Sequence, residues 1–565
     1  MRPRHARALV LLVGLLLPAC ASVPDRAAPA AEGELLTLER LHETADLTPE
    51  GFGPARWLEG GSGYTTLEPS QGGLPGRDVV RYDPGTGARE VLVPAARLVP
   101  HEGAAPLEIA DYHWSPGRTH LLVFTNTARV WRLNTRGDYW LLDLETWDLR
   151  QLGAGFEPST LMFAKFSPAG DRVAYVQAND LYVENVASGE RVRLTSDGSE
   201  TIINGTFDWV YEEEFHLRDG FRWSPDGERI AYWQLDAEGV GVFHLIDNLA
   251  GIYSEVIPIQ YPKVGTTNSA CRVGVVPAAG GETVWVDLEG DPRQNYFARV
   301  QWTPDSTEVL LQYLDRRQQD LQVVLADPKT GAARTLFVEH DDAWVDVVDD
   351  LRWLPDGARF TWVSERDGWR HVWLVERAGG DPSLVTPWDH DVVEVVSIDV
   401  DGGWLYYIAS PEDPTQRFLY RSRLDGSGTP ERLTPDGVGG THAYQMSPDA
   451  RWALRTSSSF EQPPVVDLVR LPEHETVRVL VDNAAMRAAY EQLARTPVEF
   501  FRVDVGDGVE LDGWCMKPPG FDPSRRWPVV FHVYGEPWGQ TVLDRWGGGN
   551  SLWHLMLTQR GYVVM

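Results

Sequence analysis

The chain has 565 residues, of which 43% are hydrophobic and 24% charged; this excludes a disordered protein and is long enough for more than one buried core. A formal charge of −31 argues against nucleic acid or anionic membrane as the main partner, because both would repel it. The 23 Trp, 53 Gly and 39 Pro suit many short strands joined by tight turns.

Residues 1–20 read as a targeting segment. Arg2, Arg4 and Arg7 precede the apolar run Ala8 to Leu17, which is shorter than the roughly 20 residues of a spanning helix. Leu17-Pro18-Ala19-Cys20 then looks like a bacterial lipobox, with Cys20 as the lipidated mature N-terminus. An ordinary cleaved signal peptide is the alternative. Either way the protein is exported to the periplasm or cell envelope, and lipidation adds a membrane anchor. Residues 21–33, rich in Ala and Pro, read as a tether. Cys271 and Cys515 lie far apart and establish no disulfide, and no CxxC or HExxH pattern suggests a metal. No cofactor is expected.

Residues 34–495 repeat one pattern: an aromatic or apolar residue, then Ser/Thr-Pro-Asp/Gly, then a strand-like run. Copies occur at Trp114-Ser115-Pro116-Gly117, Phe166-Ser167-Pro168, Trp223-Ser224-Pro225-Asp226-Gly227, Trp302-Thr303-Pro304-Asp305, Trp353-Leu354-Pro355-Asp356-Gly357 and Met446-Ser447-Pro448-Asp449. A degenerate seventh copy is Val400-Asp401-Gly402-Gly403-Trp404, and Trp57 to Leu67 supplies part of an eighth unit. Pro fixes φ at one turn corner and Gly tolerates the other. Where nothing intervenes the prolines recur about every 50 residues, near the length of one blade. The expectation is an all-β propeller of seven to eight blades, with an insertion in the long gap between Pro225 and Pro304.

Asp482 to Arg495 has helical spacing of apolar residues. Residues 496–565 read as the incomplete beginning of an α/β-hydrolase (peptidase) domain. Strands are expected at Val498 to Val503, Leu511 to Cys515 and Trp527 to Tyr534, the last as a continuous apolar strand buried on both faces. It opens into Gly535 to Gln540, at a strand's carboxyl end where α/β sheets place active sites. A helix over 551–560 and a strand from Gly561 to Met565 follow.

The most informative segment is Asp208-Trp209-Val210-Tyr211-Glu212-Glu213-Glu214-Phe215. Three consecutive carboxylates between aromatics that prefer burial make a fixed negative site suited to a cation such as a peptide's α-ammonium. This octet, the Val130 to Trp140 segment, the Phe531 to Gln540 loop and the propeller turns resemble dipeptidyl peptidase IV-like serine peptidases of the prolyl oligopeptidase family, over Leu35 to Met565. The resemblance implies removal of N-terminal dipeptides, often X-Pro or X-Ala, from peptides with free N-termini. It implies that Glu213 and Glu214 bind the substrate ammonium. Arg132 would bind the intervening carbonyl, with Arg136 a close alternative, and the Tyr534 hydroxyl would help form the oxyanion hole. Neighbouring positions on a regular helix face apart, so convergence of Glu213 and Glu214 calls for local distortion. A homodimer of the complete protein is a further implication.

Two features depart from the pattern. The stretch Trp344-Val345-Asp346-Val347 offers no second aromatic for an S2 pocket, and Glu536 stands where many relatives carry a smaller residue. No G-x-S-x-G occurs, Ser551 is the only serine after Tyr534, and His554 cannot complete a triad in the order Ser, Asp, His. The chain is therefore read as a fragment of a peptidase, inactive alone. The alternative is a non-catalytic exported propeller that binds peptide N-termini.

Overall fold

Strands dominate because the Ser/Thr-Pro-Asp turns impose them. In three of these turns a buried hydroxyl closes the loop from both sides. Ser224 Oγ donates to Asp226 at 2.5 Å and accepts from Arg229 N at 2.9 Å. Thr303 repeats this with Asp305 and Glu308, and Ser447 with Asp449 and Trp452. Leu354 lacks the hydroxyl, and there the backbone bond from its N–H to Arg359 O, 2.8 Å, holds the turn. The residue after Asp takes positive φ: Gly227 at 72° and Gly357 at 63°, but also Ser306 at 60° and Ala450 at 55°.

The structure is a computed structural model that describes residues 33–71, 75–535 and 539–565. The expected signal segment with Cys20, nearly all of the tether, and Glu536 lie outside the described residues. From Arg56 to Val481 the chain forms consecutive antiparallel sheets, most of four strands in simple sequence order. Residues 111–193 form one eight-stranded sheet, because the long strand Leu133–Asp143 pairs with Leu161–Phe166 as well as with its own neighbours. Apolar clusters join each sheet to the next, and a last cluster joins Tyr64 of the first sheet to Leu454 and Leu468 of the final one. Polar bonds complete that closure: Trp57 Nε1 donates to Gln445 O at 2.9 Å, and Gln445 Nε2 to Ala55 O at 3.1 Å. The ring of sheets is a β-propeller. The gap after Pro225 holds a hairpin, Val242–Asp247 paired with Glu255–Gln260, between two strands of one sheet.

A separate apolar cluster gathers the rest. It joins Leu36 and Leu47 to Tyr490 of the helix Ala484–Glu491, to Trp514 and Met516, and to Leu552, Leu555 and Met556 of the helix Gly548–Gln559. Gln559 ties the ends together, accepting from Leu36 N at 2.6 Å and donating to Ala494 O at 2.9 Å. The strands Glu499–Asp504 and Glu510–Cys515 form a hairpin. The expected strand from Trp527 to Tyr534 shrinks to Val529–Val530, parallel to Val563–Val564. Its apolar run is not buried on both faces: Phe531 is 71% and Val533 79% exposed. Among the described residues its ladder has a neighbour on one edge only, although the His532 ring lies 4.9 Å from that of His554.

Candidate substrate-anchoring site

The carboxylate octet begins with a cap. Asp208 accepts from Tyr211 N at 3.0 Å and so starts the helix Trp209–Glu214. A second bond, from Ser269 Oγ at 2.6 Å, holds the buried Asp208 side chain, whose pKa burial pushes up. A helix of six residues has no stability of its own. An aromatic cluster of Phe207, Tyr211, Phe215 and Tyr296 fixes it, and Tyr211 OH accepts from Phe297 N at 3.2 Å. Trp209 stacks at 4.3 Å on Tyr261, at the base of the inserted hairpin.

The three glutamates point to three surroundings. Glu212 is 6% exposed and lies 3.4 Å from Arg218 Nε; burial raises its pKa, and Arg218 opposes that. Glu213 takes a bidentate clasp from Arg132, Nε to Oε2 at 2.7 Å and Nη2 to Oε1, which lowers its pKa. Glu214 is exposed, and its charge acts on the Tyr296 phenol. The distortion expected between Glu213 and Glu214 is absent: the helix stays regular through Glu214, and His216 at φ 55° turns the chain only afterwards.

Arg132 reaches this edge from another sheet. Strands His120–Val130 and Leu133–Asp143 each run 11 residues, and Arg132 sits with Trp131 (φ 48°) in the connecting turn. A register shift at Thr125 bends the hairpin, and Asn126 braces it with a bond to Asp138 at 2.7 Å. The ion pair to the helix belongs to Arg132, not to Arg136, which pairs across the strand with Ala128. Tyr534, 56% exposed, belongs to the same neighbourhood. The raised pKa of Arg132 comes first from its hydrogen bond to Glu213, and the Tyr534 phenol adds to it. A hairpin tip thus meets a helix at the Arg132–Glu213 ion pair, and the Tyr534 phenol of the C-terminal loop acts electrostatically on Arg132.

Trp344 donates its indole N–H to Asp346 at 2.8 Å, a contact within its own loop. Among the described residues no group of three or more His, Cys, Asp or Glu is placed to hold a metal ion, and no helix is long and apolar enough to cross a membrane. Sequence reading missed Arg218, which neutralises the buried Glu212, and Asp544, which docks the C-terminal loop on the propeller. Arg218, only six positions past Glu212, was within reach of the sequence; Asp544 meets partners more than eighty residues away and left no local pattern.

The family model described as the dipeptidyl peptidase IV N-terminal region matches residues 115–464. A probable dipeptidyl peptidase 4 of Emericella nidulans is 28% identical over 561 residues, covering 95% of this chain and 70% of the relative. A probable dipeptidyl-aminopeptidase B of the same organism is 30% identical over 485 residues, 80% of this chain and 52% of the relative. Among solved structures, the crystal structure of Porphyromonas gingivalis dipeptidyl peptidase 4 superposes with a TM-score of 0.85 at 27% identity, covering 94% of this chain and 74% of the other. With its ring of sheets and its glutamate-bearing helix, the chain belongs to the dipeptidyl peptidase IV family.

Proposed function

We propose that these residues are the recognition portion of an exported serine-type dipeptidyl aminopeptidase that removes N-terminal dipeptides, often X-Pro or X-Ala. The observation that carries this reading is the Arg132–Glu213 clasp beside Tyr534. Arg132 keeps Glu213 ionised, and Glu213 and Glu214 then offer two charges to a substrate ammonium. Two N–H groups of Arg132 are engaged, and the Nη1 edge remains for the carbonyl between the first two substrate residues. Tyr534 would donate to the developing oxyanion, an interaction typically worth about 3–4 kcal/mol. Held at a fixed distance from the nucleophile, the ammonium makes the second residue the cleavage point. The sequence contains no G-x-S-x-G, so this reading leaves the nucleophile to residues it does not include.

In this reading the sheets from Arg56 to Val481 count as eight blades, and residues 496–565 open an α/β-hydrolase domain. In an active polypeptide that carries these residues, Glu213→Ala or Glu214→Ala should lower kcat/KM for a dipeptidyl anilide about 10- to 100-fold, the cost of a charge-assisted bond. An activated ester without an amine should be cleaved as before. Equal loss on both substrates would refute the anchoring role.

The inserted hairpin exposes Phe243, Leu245, Ile246, Leu249, Ile252 and Tyr253, an apolar surface that suits a homodimer contact. Sedimentation of a Leu249→Asp/Ile252→Asp variant tests this, and an unchanged mass would refute it. Lipid anchoring at Cys20 is tested by labelled-lipid incorporation, which Cys20→Ser should abolish.

A further inference from the structure

The strands Arg229–Asp236 and Ala270–Pro277 pair with Asp236 opposite Ala270, so a short turn would be enough to join them. The chain instead runs out through the inserted hairpin, which closes where Tyr261 N donates to Gly241 O at 2.8 Å, and comes back along residues 261–269. The sheet itself has no need of this return arm, and the arm's contacts fall elsewhere. Arg293 Nη1 donates to Asn268 O at 2.7 Å and Arg316 Nη2 to Thr266 O at 2.5 Å, which pins the arm to the propeller.

From there the arm holds the helix Trp209–Glu214 at three points. Ser269 Oγ donates to the capping carboxylate of Asp208 at 2.6 Å, and both residues are buried. Burial raises the Asp208 pKa, and the Ser269 bond comes first among the groups that oppose it. Asn268 Nδ2 donates to Tyr296 OH at 2.7 Å, and the Tyr296 ring lies 4.9 Å from that of Phe215 and 5.9 Å from that of Tyr211. The Tyr261 ring lies 4.3 Å from Trp209, tilted by 45°. The cap, the buried side and the first residue of the helix each meet the arm or a side chain that the arm fixes.

A helix of six residues cannot hold its own orientation, yet this one must present Glu213 to Arg132. We propose that Ser269 and Tyr261 are positioning residues, through which the return arm of the inserted hairpin sets the glutamate helix, and with it Glu213, for a substrate ammonium. The functional consequence rests on the amine-binding reading above, but the hold on the helix can be measured without a ligand.

The test uses this chain, with amide hydrogen exchange and with calorimetric titration of glycylprolinamide and N-acetylglycylprolinamide. Ser269→Ala and Tyr261→Ala should each speed exchange at Tyr211 N, which donates to Asp208, by at least about tenfold, with exchange in Trp404–Ala409 unchanged as a control for folding. Each should also cut the preference for the free amine over the acetylated ligand by at least about threefold. Ser269→Thr keeps the hydroxyl and Tyr261→Phe the ring, and these two variants should behave as the unaltered chain does. If the control strand also exchanges faster in an alanine variant, Ser269→Cys or Tyr261→Leu, closer in volume, replaces it. Unchanged exchange at Tyr211 N, a preference that survives both substitutions, or conservative variants that restore nothing would each overturn the proposal. If the unaltered chain binds the two ligands equally, the amine reading fails, while exchange at Tyr211 N still decides whether the arm holds the helix.

Discussion

The runs Arg229–Asp236 and Trp527 to Tyr534 are both eight residues of mostly β-forming type, yet they meet opposite fates. The first has strands on both edges and is buried from Ile230 to Leu235. The second has a ladder of two residue pairs on one edge, and beyond Val530 the side chains of Phe531, Val533 and Tyr534 are exposed. Composition sets the capacity to form a buried strand, but neighbours decide whether burial follows. In the propeller each sheet supplies the next with a neighbour, and the last supplies the first.

Trp233→Ala should cost about 3–5 kcal/mol in denaturant unfolding, because the ring is fully buried and its Nε1 donates to Phe297 O at 2.7 Å. The next effect is on pH dependence where the C-terminal segment docks. His442 and His474 are buried between the last two sheets, and burial pushes both pKa values down to about 4. His442 faces Arg455, His474 and Arg432, while His474 faces Arg455, Asp467 and Tyr444. The unfolded chain binds protons that the folded one refuses, so their contribution is complete above about pH 6.5 and is lost as pH falls toward 4. The loss should be on the order of 2–3 kcal/mol for each histidine, visible as a steep acid limb in melting temperature that His474→Gln flattens. Asp208→Ala, which removes the cap of the glutamate helix, should cost about 1–2 kcal/mol. Phe531→Ala should change stability by less than about 0.5 kcal/mol, and a cost near that of Trp233→Ala would show that the run is covered.

The propeller was legible because its turns are local. Ser224, Pro225, Asp226 and Gly227 carry their own hydrogen-bond acceptors and backbone angles, so one copy predicts the next. The octet was legible for a similar reason: Asp208 caps its own helix, and Tyr211 and Phe215 mark its buried side. The direction of Glu213 was not, since it depends on Arg132 arriving from another sheet. The run from Trp527 to Tyr534 was misread because its alternatives differ only in what lies beside it. The packing of residues 36–47 with the helix Gly548–Gln559 spans more than 500 positions and left no local sign.

The Arg132–Glu213 edge is proposed to recognise a free peptide amine. Calorimetric titration of this chain with a dipeptide amide and with its N-acetylated counterpart tests it most directly. The free amine should bind, the acetylated form should bind at least about tenfold more weakly, and Glu213→Ala should erase the difference. Equal binding of the two ligands to the unaltered chain would contradict it.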